Sequence, residues 1–232
     1  MEKIQYALWK NTDESHQQFS ERLRSTVAPA LLGNSPLALT IAVVDDAVSA
    51  ASGYRMECTR PAPDALISLW LNSAISRGDY EAELDQHVAR YWGYLVCESS
   101  PLPDTGSHSG GDRTPGMNQV VFLRKPHRLD RETWLNTWQG QHTAVAIETQ
   151  STFVYRQNVI VRSLSYGSAP YDAVVEECFP EQAIHSREAF YDAVDQPELF
   201  QQRQQQMMES CARFIDFDKI DCVPMSEYVF KR

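Results

Sequence analysis

The pattern that most constrains this chain is an order of elements that occurs twice. In the first half, IQYALWK (residues 4–10) reads as a strand and HQQFSERLRSTVAPALL (16–32) as a helix. PLALTIAVVDD (36–46) and DALISLWLN (64–72) read as strands, YEAELDQHVA (80–89) as a helix and RYWGYLVCESS (90–100) as a strand. The second half begins with the strand NQVVFLRK (118–125), which Pro126 ends. Asp130 is placed to N-cap the helix RETWLNTWQGQHTAVAIE (131–148). The strands FVYRQNVIVRSL (153–164) and YDAVVEECF (171–179) follow, then a helical region over 186–213 that Pro197 breaks, then the strand CVPMSEYVF (222–230). Both halves spell β-α-β-β-α-β.

Between them lies PLPDTGSHSGGDRTPG (101–116), with four of the ten glycines and almost no apolar residues. Such a stretch buries too little surface to offset its ordering entropy, so it reads as an exposed flexible linker. The expected organisation is an N-terminal unit over 1–100, a linker over 101–116 and a C-terminal unit over 117–232.

The order β-α-β-β-α-β is that of a ferredoxin-like unit. Its antiparallel sheet carries helices on one face only, so the other face needs a cover. Two such halves can cover each other. The fold class expected is therefore α+β, with two ferredoxin-like halves forming a closed or nearly closed antiparallel barrel and helices outside. A small molecule would sit between sheet and helix or inside the barrel.

The net charge of −10 argues against nucleic acid or an anionic membrane as partner. No apolar run reaches the roughly 18 residues of a membrane span. The N-terminus lacks a signal-peptide core, because Asp13 and Glu14 come too early. The five cysteines are scattered without a C-x-x-C pair, which points to reduced thiols in a cytoplasmic protein. No two histidines have metal-ligand spacing, and no glycine-rich phosphate loop or G-x-S-x-G elbow is present. No cofactor is expected.

On a regular helix, Trp134, Trp138, His142 and Val145 fall within roughly an 80° arc. An imidazole thus shares a face that should be buried, as a general acid or base or as a hydrogen-bonded core residue. Laid over the first half without gaps, Phe19 matches Trp134, Leu23 matches Trp138 and Val27 matches His142. The first half keeps the apolar face and drops the imidazole. Gly140 interrupts the helix for a packing neighbour or for ligand space. On the next strand Tyr155 and Gln157 point one way and Asn158 the other. Asp172 and Glu176 share one face of their strand, and Glu177 takes the opposite one.

W-x-x-x-H on a helix, YRQN on a strand, D-x-V-V-E-x-x-F and a final S-E-Y strand together resemble the EthD family. The matching residues are Trp138, His142, Tyr155, Gln157, Asn158, Asp172, Val174, Val175, Glu176, Phe179 and Glu227. The resemblance implies the dimeric α/β-barrel superfamily, whose members include cofactor-free monooxygenases, isomerases, cyclases and haem-binding enzymes. A homodimer is compatible with it.

The function expected is binding, and cofactor-independent proton-transfer chemistry, of an apolar oxygenated small molecule. His142 would move the proton, Glu176 would orient it and Tyr155 would polarise a carbonyl. Trp138, Trp134, Asn158 and Tyr191 would hold the substrate. The alternatives are a non-catalytic carrier, a haem-binding protein or a cofactor-free monooxygenase.

Overall fold

The computed structural model describes residues 1–232. The strands are β1 (Glu2–Trp9), β2 (Ala38–Val43), β3 (Ala65–Leu71), β4 (Arg90–Leu102), β5 (Asp112–Arg113), β6 (Met117–Leu123), β7 (Val154–Ser163), β8 (Ala173–Phe179) and β9 (Asp221–Lys231). The helices are α1 (16–33), α2 (Gly78–His87), α3 (131–149), α4 (Glu181–His185), α5 (Arg187–Phe190) and α6 (Pro197–Ala212). A 3₁₀ segment, Asp46–Tyr54, lies between β2 and β3.

The strands run in the order β2-β3-β1-β4-β7-β8-β6-β9, and β2 also pairs with β9. That last pairing closes an eight-stranded antiparallel barrel, as the α+β reading expected, and the short β5 adds to β9. Two seams join the halves, β4 to β7 and β2 to β9.

Strand residues alternate between two environments. One set packs inside the barrel, where Ala7, Tyr94, Phe122, Val174 and Met225 form a core. The other set faces outward onto helices. In the first half Phe19, Leu23 and Val27 of α1 cover Ile4, Ile41 and Leu69. In the second half Trp134 and Trp138 of α3 and Cys211 of α6 cover Val121, Tyr155 and Val175. No helix is long and apolar enough to cross a membrane.

Several local expectations change. The strand read from Tyr171 begins at Ala173. Pro197 does not break a helix at its middle; it opens α6 at a first-turn position, where its missing N–H costs nothing. The glycine-rich segment 101–116 is tied down at several points. Pro101 and Leu102 extend β4, and Gly111 N–H donates to Val229 C=O at 2.8 Å. Thr114 is buried, with its hydroxyl on Glu227 Oε1 at 2.8 Å. The edge of β9 supplies the partners that this segment lacks on its own.

Helix α3 is not regular. Asn136–His142 is wound as π-helix, with Thr143 N–H bonded to Trp138 C=O. Helix α1 carries the same irregularity at Leu23–Val27. The two π segments end at His142 and Val27, the positions that the gapless match pairs.

Candidate functional site

The outer sheet face under α3 carries an unusual row. Tyr155, Glu177 and Gln119 stand directly opposite one another across β7, β8 and β6. Opposed residues of antiparallel strands share a face, so all three point toward the helices. The first half has the same geometry with different chemistry. There Leu39, Leu69 and Ile4 form the row across β2, β3 and β1. Paired Leu8 and Ala65 in one half, and Leu123 and Ala173 in the other, fix the comparison. Where the first half is wholly apolar, the second has a phenol, a carboxyl and an amide. His142 replaces Val27 on the covering helix.

Those polar groups surround a cavity of about 230 Å³ between sheet and helices. Trp138, His142, Tyr155, Glu177, Cys211 and Phe214 are among its walls. The 3₁₀ segment 46–54 of the other half closes one side. Tyr54 stacks on Phe190 at 4.8 Å and donates to the Ala183 carbonyl at 3.0 Å. Cavities of roughly 150 Å³ hold benzene, so this one suits a molecule of one or two rings.

Glu177 is the most perturbed polar group of the cavity. It is buried, Oε1 has no hydrogen-bond partner, and burial alone pushes its carboxyl up to about 8. A carboxylate there would have neither a cation nor a donor, so the proton stays on through neutral pH.

His142 is set the opposite way. Burial, reinforced by the Arg213 charge, holds its imidazole down at about 4, so it is neutral. Nδ1 is 3.0 Å from Ser210 Oγ, and Arg213 donates to the same hydroxyl at 3.0 Å. Phe214 packs 4.6 Å from the ring.

Tyr155 accepts a hydrogen bond from Trp138 Nε1 at 3.2 Å, and burial raises its phenol well above the ordinary range. Tyr155 lines the cavity, and Gln157 lies beside its hydroxyl. Tyr191 lines the far side with Gln150, whose Oε1 is buried without a partner.

Four sequence readings need correction. Glu176 does not orient His142. It points into the barrel, where Lys3, Gln5 and Asn158 donate to Oε1 at 3.1, 2.9 and 3.1 Å and Arg156 lies 3.8 Å from Oε2. Asn158 points the same way, also bonded to the Val174 carbonyl, and holds no substrate in this cavity. Trp134 is a packing residue outside the cavity, its indole 5.2 Å from Trp138 and its N–H on the Phe214 carbonyl. Gly140 serves neither a neighbour nor a ligand, because an added Cβ would meet open space.

Gln157 faces outward as its parity predicts, but it bonds Thr143 Oγ1 at 2.7 Å beside the cavity. Asp172 accepts from Lys125 N–H at 2.7 Å at the start of β8, away from the site. Sequence reasoning passed over Glu177, Gln119, Gln150 and Arg187. The available signal was a carboxylate at an outward position whose neighbours in phase, Val175 and Phe179, are core residues.

A family model decides the likeness of this half: residues 126–218 match the EthD domain. The C-terminal half carries an EthD domain. Among solved structures, an anthrone oxidase-like protein superposes with a TM-score of 0.52 at 9% identity, over 98% of this chain and 90% of that one. A candidate monooxygenase from Lactobacillus acidophilus NCFM gives 0.50 at 8% identity, over 99% and 95%. At that identity these likenesses establish the shared fold. No curated protein matches the chain. The matched residues include Trp138, His142, Tyr155 and Glu177, while Gln119 lies before them and Gly53, Tyr54 and Met56 of the wall come from the first half.

No three His, Cys, Asp or Glu side chains are grouped to hold a metal ion. A haem on His142 does not fit. The cavity of about 230 Å³ is below the roughly 300–1,000 Å³ of ordinary ligand pockets, and a porphyrin exceeds most of their ligands.

Proposed function

We propose that the EthD domain binds a one- or two-ring oxygenated molecule and moves a proton on it next to a carbonyl, without a cofactor. The observation that carries this reading is the polar row Tyr155–Glu177–Gln119 under His142, set where the first half has only apolar side chains. Buried polar groups without partners cost stability, so a ligand that satisfies them is the simplest reason to keep them.

In the proposed step the Glu177 carboxylate removes a proton from the carbon beside the carbonyl. The electron pair of that C–H bond becomes the enolate, and Tyr155 donates its O–H to the developing oxyanion. Trp138 fixes the phenol by donating to its oxygen. Glu177 then returns the proton to carbon, which completes an exchange or an isomerisation. Proton acceptors work best with a pKa near the working pH, and a carboxyl at about 8 meets that condition better than an imidazole at about 4. His142, neutral, offers hydrogen bonding to a substrate oxygen rather than the proton transfer first expected of it.

The test is solvent deuterium exchange into 2-tetralone, a two-ring ketone with acidic C–H bonds, followed by proton NMR. The wild-type protein should accelerate exchange, with a rate that rises with pH to a plateau above about 8. Glu177→Gln should lose about 10²–10⁴-fold and Tyr155→Phe about 10²-fold. Binding of 2-tetralone with no accelerated exchange would leave a carrier instead of an enzyme.

The organisation proposed alongside is two ferredoxin-like units, residues 1–100 and 117–232, with chemistry kept in the second. The matching strand orders β2-β3-β1-β4 and β7-β8-β6-β9 support it.

A further inference from the structure

The cavity has one charged side chain at its wall that the proposed chemistry does not use. Arg187, the first residue of α5, lines the cavity and is exposed to solvent. Its neighbour in sequence, Glu188, is engaged by the Ser186 hydroxyl at 2.8 Å. Other arginines hold carboxylates or backbone carbonyls, as Arg203 does with Asp192 and Arg128 with Ala212. Arg187 donates no hydrogen bond and has no carboxylate within 4.0 Å. Its charge falls on two phenols of the wall, lowering both Tyr54 and Tyr191 against the upward push of burial.

Arg187 is thus an unpaired cation at the wall of an apolar cavity, in a protein of net charge −10. The deeper polar groups set the complement. Glu177 and Gln150 both line this cavity, and each has an Oε1 buried without a partner. Glu177 keeps its proton and His142 is neutral, so nothing inside the cavity repels an anion or attracts a cation. The gradient therefore runs from an apolar, uncharged interior to one positive charge at the rim.

We propose that the ligand is an aromatic or alicyclic acid, its rings against Trp138 and Phe214 and its carboxylate held at the rim by Arg187. This inference rests on the reading of the cavity as a ligand site and adds the class of ligand. A guanidinium offers two parallel donors to a carboxylate. A partly exposed pair of this kind contributes modestly to affinity but separates an acid from its neutral analogue.

The experiment compares 2-naphthoate with 2-naphthamide, two rings of the same shape that differ in charge, by calorimetric titration of the full chain at pH 7. The wild type should bind the acid at least tenfold more tightly. Arg187→Gln should erase that preference and leave the affinity for the amide unchanged, and Arg187→Lys should retain part of it. Because Arg187 is at the surface, its substitution leaves the core intact, and unchanged thermal unfolding of Arg187→Gln checks this. Equal binding of the two compounds by the wild type would overturn the acid proposal and leave the cavity reading standing. A preference for the acid that persists in Arg187→Gln would overturn the role of Arg187. Binding of neither compound at millimolar concentration would overturn both the acid proposal and the ligand-site reading.

Discussion

At the scale of the residue, the site turns on adjacent glutamates with opposite surroundings. Glu176 faces cations inside the barrel, and Lys3, then Arg156, hold its carboxyl below the usual range against the push of burial. Glu177 faces a cavity with no charge partner and is pushed up to about 8. Because the folded chain keeps the Glu177 proton between about pH 4.5 and 8 and the unfolded chain does not, this group lowers stability as pH rises through that window. Glu177→Gln should therefore leave stability nearly unchanged at pH 4 and raise it at pH 8, by on the order of 2–4 kcal/mol. Urea unfolding of both proteins at the two pH values measures this; equal differences at both would contradict the buried, unpaired carboxyl. The parity of β8 was legible in the sequence, and it separated these residues correctly. Which face held the cavity was not, because that depends on how far each face is covered by helices distant in sequence. The same limit applied to Asn158, whose direction was read correctly and whose destination was not.

At the scale of the element, the order of strands and helices was legible because apolar period and breakers agree along most of the chain. The π segments were not. Leu23–Val27 and Asn136–His142 share only a threonine, Thr26 and Thr137, which marks neither as irregular. The 3₁₀ segment Asp46–Tyr54 was missed as well, since its apolar content is spread too thinly for a periodic signal. Two glycines test the local picture from opposite sides. An added Cβ at Gly140 meets nothing within 4 Å, so Gly140→Ala should raise stability by about 0.5–1 kcal/mol. Gly116 has a φ of +92°, and a Cβ there would lie 1.8 Å from the Phe179 carbonyl oxygen. Gly116→Ala should cost well above the roughly 1–2 kcal/mol that a left-handed backbone alone imposes. Thermal unfolding of the two variants should shift in opposite directions.

At the scale of the molecule, the barrel is closed by pairing between halves, and neither half has its sheet edges satisfied alone. Separation at the glycine-rich segment 101–116 would expose the edges of β2 and β4 in one piece and of β7 and β9 in the other. Residues 1–100 and 117–232 expressed separately should aggregate or self-associate, and co-expression should restore a 1:1 complex by size-exclusion chromatography. Monodisperse, separately folded halves would contradict the shared barrel. The division of labour is also a property of the whole. One half is apolar under its helix, and the other carries the cavity and borrows part of its cover from the first.

The most direct test of the account is the protonation of Glu177 followed by carbon NMR of labelled glutamate carboxyls, with Glu177→Gln supplying the assignment. The account predicts a titration midpoint near 8 that moves when 2-naphthoate is added. A midpoint at the ordinary 4.5, indifferent to the ligand, would contradict it.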